Sequence, residues 1–165
     1  ENNPRYCMGV GYPVDLVVCV ALGVDMFDCV YPARTARFGV ALSDEGNIQL
    51  KQTKHREDLS PIERDCGCTT CRRFTRAYLH TIVAKEQTGA RLVTCHNIAY
   101  MMRLMRRVRH AVAQDEYPAF IKSFFAKQYP KGDYPGWCVD ALAAVGVQLN
   151  PPAAGAGRAS EAAPD

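Results

Sequence analysis

The first thirty residues contain a strand–helix–strand pattern, which constrains the fold more than any other part of the chain. A short apolar run ends in a glycine-rich turn at residues 9–11, Pro13 opens a helical stretch over 14–22, Gly23 ends it, and a second apolar run covers 24–30. Proline near a helix start and glycine just past its end are usual helix boundaries. The pattern predicts a parallel βαβ unit, as found in barrels and doubly wound sheets.

One βαβ unit closes neither kind of sheet. A barrel built from such units needs roughly 250 residues, whereas this chain has 165. We therefore expect the missing strands to lie upstream of residue 1. The alternative is a small independent α/β domain.

Composition narrows the class of protein further. The chain is 48% apolar and 22% charged, which excludes wholesale disorder. Its net charge of +3 does not by itself indicate a nucleic-acid partner. The longest apolar stretch, residues 16–22, is too short to span a bilayer, so we expect no transmembrane segment.

Downstream of the βαβ unit the pattern becomes mainly helical. Residues 31–60 are polar with two short β-prone pieces, which predict a loop and a hairpin. Amphipathic spacing and breakers predict four helices, over residues 72–87, 97–114, 117–129 and 137–145. From residue 151 the composition changes to Pro, Ala and Gly, which is typical of a disordered tail.

Three cysteines, Cys66, Cys68 and Cys71, lie within six residues and predict a metal site. Together with His96, three thiolates and one imidazole form a closed tetrahedral set that suits a structural Zn²⁺. The chain is too long and too apolar for a small disulfide-stapled domain, although it has eight cysteines. The four cysteines remote from this cluster are interpreted as small buried apolar residues: Cys7, Cys19, Cys29 and Cys138.

The fourth ligand has three rivals in the sequence. His55 lies in a polar loop and is expected to be solvated, whereas His80 lies about two turns along a predicted helix and out of reach. Cys95 is the strongest rival, being a thiol next to His96. Adjacent side chains at the start of a helix point in different directions, so only one of the two is expected to bind. We favour His96.

Asp28 is the candidate catalytic carboxylate. It lies near the carboxyl end of a predicted parallel strand, where a charge is costly without partners or a function. In a barrel that end opens on the active-site face. Asp25, at the other end of the run, is interpreted as a turn or capping residue.

Arg34 and Arg37 follow in a predicted loop on the same face as Asp28. The planar guanidinium binds phosphate and stacks on bases, so this pair favours a polyanion bound across the site. Two readings remain open for the other arginines, which either follow a phosphate backbone or form solvated helix faces. These are Arg72, Arg73, Arg76, Arg103, Arg106, Arg107 and Arg109.

Four motifs in this order resemble the tRNA-guanine transglycosylase family, most closely the C-terminal part of the catalytic subunits of its eukaryotic members. They are residues 6–11, residues 25–37, the cysteine cluster and residues 96–100. The resemblance implies the C-terminal portion of a TIM (β/α)8 barrel, with a zinc-binding subdomain and C-terminal helices. The implied division is 1–44 for the last βαβ unit and the active-site loop, 45–150 for the zinc-binding subdomain and helices, and 151–165 for the tail.

The same resemblance implies the exchange of the wobble guanine of tRNA for queuine, through a covalent bond between Asp28 and the ribose. Met8 and Gly9 match positions of the base pocket, and Arg34 and Arg37 match residues that grip the anticodon loop. One structural Zn²⁺ per chain would be bound by the four residues that match the family's zinc ligands: Cys66, Cys68, Cys71 and His96.

The family pattern also carries expectations about partners and location. It favours a heterodimer with a non-catalytic homologous subunit, with a homodimer as the alternative, in the cytoplasm and in peripheral association with the mitochondrial outer membrane. The family's second essential Asp, its base-recognition residues and its first six strands are absent here, so we expect the isolated chain to be inactive. The alternative function is a non-catalytic, zinc-stabilised module that binds tRNA or a partner protein, and a module of that kind would have no use for Asp28.

Overall fold

A computed structural model describes residues 3–149, which form a mixed α/β fold that is mostly helical. The predicted tail, 151–165, lies outside the described residues. The strands are β1 Tyr6–Met8, β2 Met26–Asp28, β3 Val40–Ala41 and β4 Ile48–Gln49. The α-helices are α1 Pro13–Ala21, α2 Tyr31–Arg37, α3 Thr69–Arg73, α4 Arg76–Ile82, α5 Gln87–Ala113, α6 Tyr117–Gln128 and α7 Gly136–Ala144, and a 3₁₀ turn covers Thr53–His55.

The predicted βαβ unit is confirmed. Strands β1 and β2 pair in parallel, with Tyr6 opposite Met26 and Met8 opposite Asp28, and α1 connects them. Gly23 ends the connection with a φ of +91°, a conformation that glycine adopts without strain. Within residues 3–149 this sheet has only these two strands, so the described part of the chain does not close a barrel.

The two faces of this small sheet differ in burial, as expected from the alternation of side chains along a strand. Phe27 is half-buried and packs against the core around α1. Tyr6, Met8 and Met26 point to the other face and are 56%, 78% and 48% exposed. Asp28 shares that uncovered face, because it lies two residues after Met26.

Helix α5 organises the larger core. Tyr100 and Leu104 on one side of it are fully buried and pack with Val17 of α1, Phe125 of α6 and Leu142 of α7. The prediction that this helix starts at residue 97 was wrong, since it begins ten residues earlier. Gly89 lies where a Cβ would be 2.7 Å from the backbone of Val83, so glycine lets the start of α5 pack tightly against the preceding chain.

A smaller core joins α4 to a hairpin. Strands β3 and β4 pair antiparallel, which confirms the predicted hairpin, and Leu50 and Leu79 are buried beside them. The single helix predicted over 72–87 was wrong, because Phe74 is extended and separates α3 from α4. Thr75 starts α4 as its N-cap, with its side-chain oxygen accepting a hydrogen bond from the backbone N–H of Tyr78 at 3.2 Å.

Arg34 and Arg37 lie in α2 and not in a loop as predicted. Pro32 occupies the first turn of α2, where its fixed φ favours helix initiation. Ala36, on the inner side of the same helix, is fully buried. Among residues 3–149, no helix is both long and apolar enough to cross a membrane.

Candidate functional site

The cysteine cluster and His96 converge on one point. The Nδ1 atom of His96 lies 3.7, 3.6 and 3.3 Å from the Sγ atoms of Cys66, Cys68 and Cys71, respectively. All four donor atoms lie within 4.8 Å of one another. The four residues predicted from the sequence are thus brought together and could hold one metal ion.

Helix α3 and its contact with α5 orient these side chains toward one another. Cys68 is the N-cap of α3, where its Sγ accepts a hydrogen bond from the Cys71 backbone N–H at 3.3 Å. The Thr70 hydroxyl donates to the Leu92 carbonyl at 2.7 Å and fastens α3 to α5, which carries His96. The histidine was expected at the start of a helix, but it lies within α5 and is fully buried.

A hydrogen bond to Leu42 fixes the protonation of His96. The Nε2 atom lies 2.8 Å from the Leu42 carbonyl oxygen, which can only accept, so Nε2 carries the hydrogen. The unprotonated Nδ1 then points its lone pair at the three thiols. An outer hydrogen bond of this kind is the usual way in which a metal-binding imidazole is oriented.

Asn97, next to His96, ties the metal cluster to α2 and β3. Its Oδ1 accepts from the Leu42 backbone N–H at 2.9 Å, and its Nδ2 donates to the carbonyls of Pro32 and Val40, both at 3.0 Å. Asn97 is fully buried. The amide thus satisfies three backbone groups that would otherwise be buried without partners.

The rival ligands lie elsewhere. Cys95 is exposed, and the Nδ1 of His80 is bonded to the Leu50 carbonyl at 2.8 Å. The expectation that His55 is solvated was wrong: it is 4% exposed, with its Nδ1 3.6 Å from a carboxylate oxygen of Asp58. Burial lowers the pKa of His55 and favours its neutral form.

The surroundings of the thiols differ. Burial opposes ionisation of Cys66, but the Cys68 backbone N–H and the Arg103 guanidinium together lower the pKa of its thiol. Burial raises the pKa of Cys68, and it raises that of Cys71 to about 12. Three thiolates therefore need a bound cation to be stable at this point.

Asp28 is exposed and receives two hydrogen bonds on one oxygen. The Tyr6 hydroxyl donates to Oδ1, and so does the Gly9 backbone N–H at 3.3 Å. The bond from Tyr6 lowers the pKa of Asp28 most, and the Gly9 N–H lowers it further. The carboxylate is thereby held ionised and in a fixed orientation.

Met8 and Gly9 lie beside this carboxylate. Met8 is directly opposite Asp28 in the parallel register and is 78% exposed. Gly9 has a φ of +77°, and this turn aims its N–H at Asp28. The structure thus brings the predicted catalytic and base-pocket residues together.

Arg34 and Arg37 are exposed on α2, and no carboxylate of the described residues pairs with either of them. Three other arginines are held by carboxylates instead, which favours a structural role for them: Arg76 with Asp58, Arg103 with Glu63, and Arg107 with Asp44. Of the seven arginines whose role the sequence left open, the remaining four are exposed: Arg72, Arg73, Arg106 and Arg109.

Sequence reasoning missed the roles of Tyr6, Asn97 and Arg103. Tyr6 could have been found, because it lies two residues before Met8 and therefore on the same face of β1. Arg103 could not, since its partners Cys66 and Glu63 are about forty residues away in the chain. The role of Asn97 depends equally on distant backbone groups.

Comparison with known proteins gives one consistent result. The family model described as queuine tRNA-ribosyltransferase matches residues 1–130. The chain is 50% identical over 158 residues to the queuine tRNA-ribosyltransferase catalytic subunit of Schizosaccharomyces pombe, covering 90% of this chain and 39% of that protein. It is 45% identical over 162 residues to the protein of the same name from Caenorhabditis elegans, covering 89% and 40%.

A bacterial protein is also similar. The queuine tRNA-ribosyltransferase of Deinococcus radiodurans is 46% identical over 143 residues, covering 86% of this chain and 36% of that protein. The chain thus spans about two fifths of the length of these relatives. By its sequence it belongs to the queuine tRNA-ribosyltransferase family.

Proposed function

We propose that the full-length protein carrying this chain is a tRNA-guanine transglycosylase, which exchanges the wobble guanine of tRNA for queuine through a covalent bond to Asp28. The observation that carries the proposal is the exposed Asp28 carboxylate, held ionised by donors from Tyr6 and Gly9. The names of the relatives support the same reaction.

The reaction consists of two displacements at the ribose C1′. Both donors bind Oδ1 of Asp28, so we assign the attack to Oδ2. A bond from Oδ2 to C1′ forms as the bond from C1′ to guanine breaks, and guanine leaves with the electron pair. Guanine takes up a proton as it departs. Queuine then attacks C1′ through a ring nitrogen, loses the proton from that nitrogen and releases the carboxylate, so two inversions give retention. The target nucleotide must be unstacked to reach Asp28.

Neighbouring groups suit the rest of the substrate. The exposed Met8 side chain, opposite Asp28, offers an apolar surface for a purine face, and the space beside Gly9 is open. Arg34 and Arg37 carry exposed guanidinium groups that suit the phosphates of the anticodon loop. These assignments rest on the family resemblance and on the exposure of each side chain.

We propose Zn²⁺ as the metal, bound by Cys66, Cys68, Cys71 and His96. Tetrahedral zinc with ordinary bond lengths separates a sulfur and a nitrogen ligand by about 3.5 Å, and the three separations here are 3.3, 3.6 and 3.7 Å. Four protein ligands leave no position for a reacting water. The role of zinc is therefore structural.

The larger assembly follows from the same proposal. We assign residues 1–44 to the end of a TIM barrel and 45–150 to the zinc-binding subdomain with its helices. The face of the sheet that bears Tyr6, Met8 and Met26 would then line the barrel interior. We also propose pairing with a non-catalytic homologous subunit, with a homodimer as the second candidate.

Incorporation of labelled guanine tests the proposed reaction. We expect the full-length protein to place labelled guanine at the wobble position of a tRNA with G34, and to leave a G34→A transcript unlabelled. Binding of both RNAs without incorporation into either would contradict the proposal and favour a non-catalytic module.

The Tyr6→Phe variant tests the hydrogen bond to Asp28. Because that bond lowers the pKa of Asp28, its loss should raise the pKa, and the acidic limb of the rate profile should shift to higher pH. Tyr78→Phe is the matched control, since Tyr78 is also exposed but lies on α4. Profiles of kcat/KM against pH that coincide for the wild type and Tyr6→Phe would exclude this role for Tyr6.

A further inference from the structure

Arg103, which takes no part in the reaction described above, lies against the metal cluster. It is on α5, seven residues after His96, and is therefore two turns further along the same side of the helix. Its guanidinium donates hydrogen bonds to the Sγ atom of Cys66 and to the Glu63 carboxylate. The helix that carries the imidazole of the cluster thus also carries a cation that contacts one of the sulfurs.

Several contacts hold the Arg103 guanidinium in one place. Its Cζ atom lies over the Tyr100 ring, 5.6 Å from the ring centroid, which is close enough for a cation–π interaction. Glu63 is itself oriented, because its Oε1 accepts a hydrogen bond from the Asp44 backbone N–H at 3.0 Å. Only 29% of the Arg103 side chain and 14% of the Glu63 side chain are exposed. The guanidinium therefore faces the carboxylate and the Cys66 sulfur from a fixed position.

The Cys66 sulfur has a charged donor in addition to a backbone donor. Each sulfur of the cluster accepts a hydrogen bond from a backbone N–H: Cys66 from Cys68, Cys68 from Cys71, and Cys71 from Glu63. Cys66 also accepts from Arg103. Hydrogen bonds from a charged donor are roughly twice as strong as neutral ones. Cys66 is only 5% exposed, so little water reaches this sulfur to replace the donor.

The charge of the occupied site gives this contact a purpose. Zn²⁺ and three thiolates together carry one negative charge, and the imidazole is neutral because its Nδ1 faces the cluster unprotonated. A buried charge is costly unless a partner compensates it. Arg103 brings a positive charge to one sulfur and shares it with Glu63. The planar fork of arginine suits two acceptors at once, which the single ammonium of lysine does not.

We propose that Arg103 is a positioning residue of the metal cluster. Its guanidinium donates to the Cys66 sulfur of the occupied site, orients that ligand and stabilises the negative charge of the cluster. The inference rests on the proposed Zn²⁺ site. The alternative is that Arg103 only pairs with Glu63 and holds the chain before Cys66 in place.

The zinc affinity of the full-length protein, measured by competition with a chromophoric chelator, tests the contribution of Arg103. Arg103→Met keeps the apolar stem of the side chain and removes its donors. Loss of an outer hydrogen bond to a metal ligand weakens metal binding roughly 10- to 100-fold, and we expect a loss of that size. Arg109→Met is the matched control, because Arg109 is exposed on the same helix, and its zinc affinity should equal that of the wild type.

Cobalt substitution separates donation to the sulfur from a role in folding. A hydrogen bond reduces electron donation by a thiolate, so its loss should move the thiolate-to-cobalt charge-transfer band of the Co²⁺-loaded protein to longer wavelength. We expect this shift in Arg103→Met and not in Arg109→Met. Glu63→Gln breaks the same ion pair from the other side but leaves Arg103 in place, so its band should stay at the wild-type wavelength. If Arg103→Met does not fold, Arg103→Gln should show the same two changes, because it also removes the charge.

Wild-type zinc affinity and an unshifted band in the Arg103 variants would overturn the inference. Equal losses of affinity in Arg103→Met and Glu63→Gln, with the band unshifted in both, would also overturn it and limit Arg103 to its ion pair. Either result in a protein whose wild type holds zinc overturns this inference alone. A wild type that holds no zinc overturns the proposed metal site as well.

Discussion

Asp28→Asn should abolish the covalent tRNA adduct that survives denaturant, while tRNA binding remains. The amide is close to the carboxylate in shape but cannot attack C1′, whereas the proposed RNA contacts of Arg34 and Arg37 would be unchanged. Loss of a nucleophile removes the chemical step, so we expect base exchange to fall by at least about 10⁴-fold. The measurement is a denaturing gel of labelled tRNA with the full-length protein, together with the exchange rate.

Asp25→Asn is the matched control for this experiment. Asp25 lies three residues before Asp28. Its Oδ2 accepts a hydrogen bond from the Arg5 backbone N–H at 2.8 Å, which agrees with the turn or capping role predicted from its sequence position. We expect its variant to form the adduct normally. An adduct that persists in Asp28→Asn would show that another group is the nucleophile.

Cys68→Ser should remove the metal and unfold the region that depends on it. A structural zinc contributes about 10–16 kcal/mol of apparent binding free energy in small domains, which matches or exceeds the roughly 5–15 kcal/mol that stabilises a whole domain. We therefore expect zinc content to fall from one ion per chain to nearly none. A large drop in the unfolding temperature should accompany the loss. Elemental analysis and thermal unfolding of the full-length protein measure both.

Cys95→Ser is the control, because Cys95 is adjacent to His96 but exposed and outside the cluster. It removes the same thiol group without touching the proposed ligands, so zinc content and unfolding temperature should not change. Zinc retained in Cys68→Ser, or lost in Cys95→Ser, would reject the proposed ligand set.

Local chemistry allowed some elements to be predicted. Pro13 and Gly23 define α1, and the pairing of β1 with β2 follows from the parallel connection that this helix provides. The convergence of the metal cluster was also predictable from residue type, because few other arrangements explain three thiols so close together. The Asp28 carboxylate followed from its place at the end of β2.

Features that depend on distant contacts were not predictable. Gly89 suggests a helix break in the sequence, but packing against Val83 makes glycine useful there, and α5 continues through it. The pairs of Arg103 with Glu63 and Arg107 with Asp44 join residues 40 and 63 positions apart. Their roles depend on contacts that form only in the folded chain, so the sequence alone could not separate them from the five other arginines discussed with them: Arg72, Arg73, Arg76, Arg106 and Arg109.

Because His96 and Asn97 are adjacent in the chain, the metal cluster is coupled to helix α2. His96 belongs to the cluster that could hold a metal ion, and Asn97 donates to the Pro32 carbonyl in α2, the helix of Arg34 and Arg37. Metal and RNA would therefore stabilise the same local arrangement from opposite sides. Thermodynamic linkage then makes the effect mutual: if zinc strengthens RNA binding, bound RNA strengthens zinc binding by the same free energy.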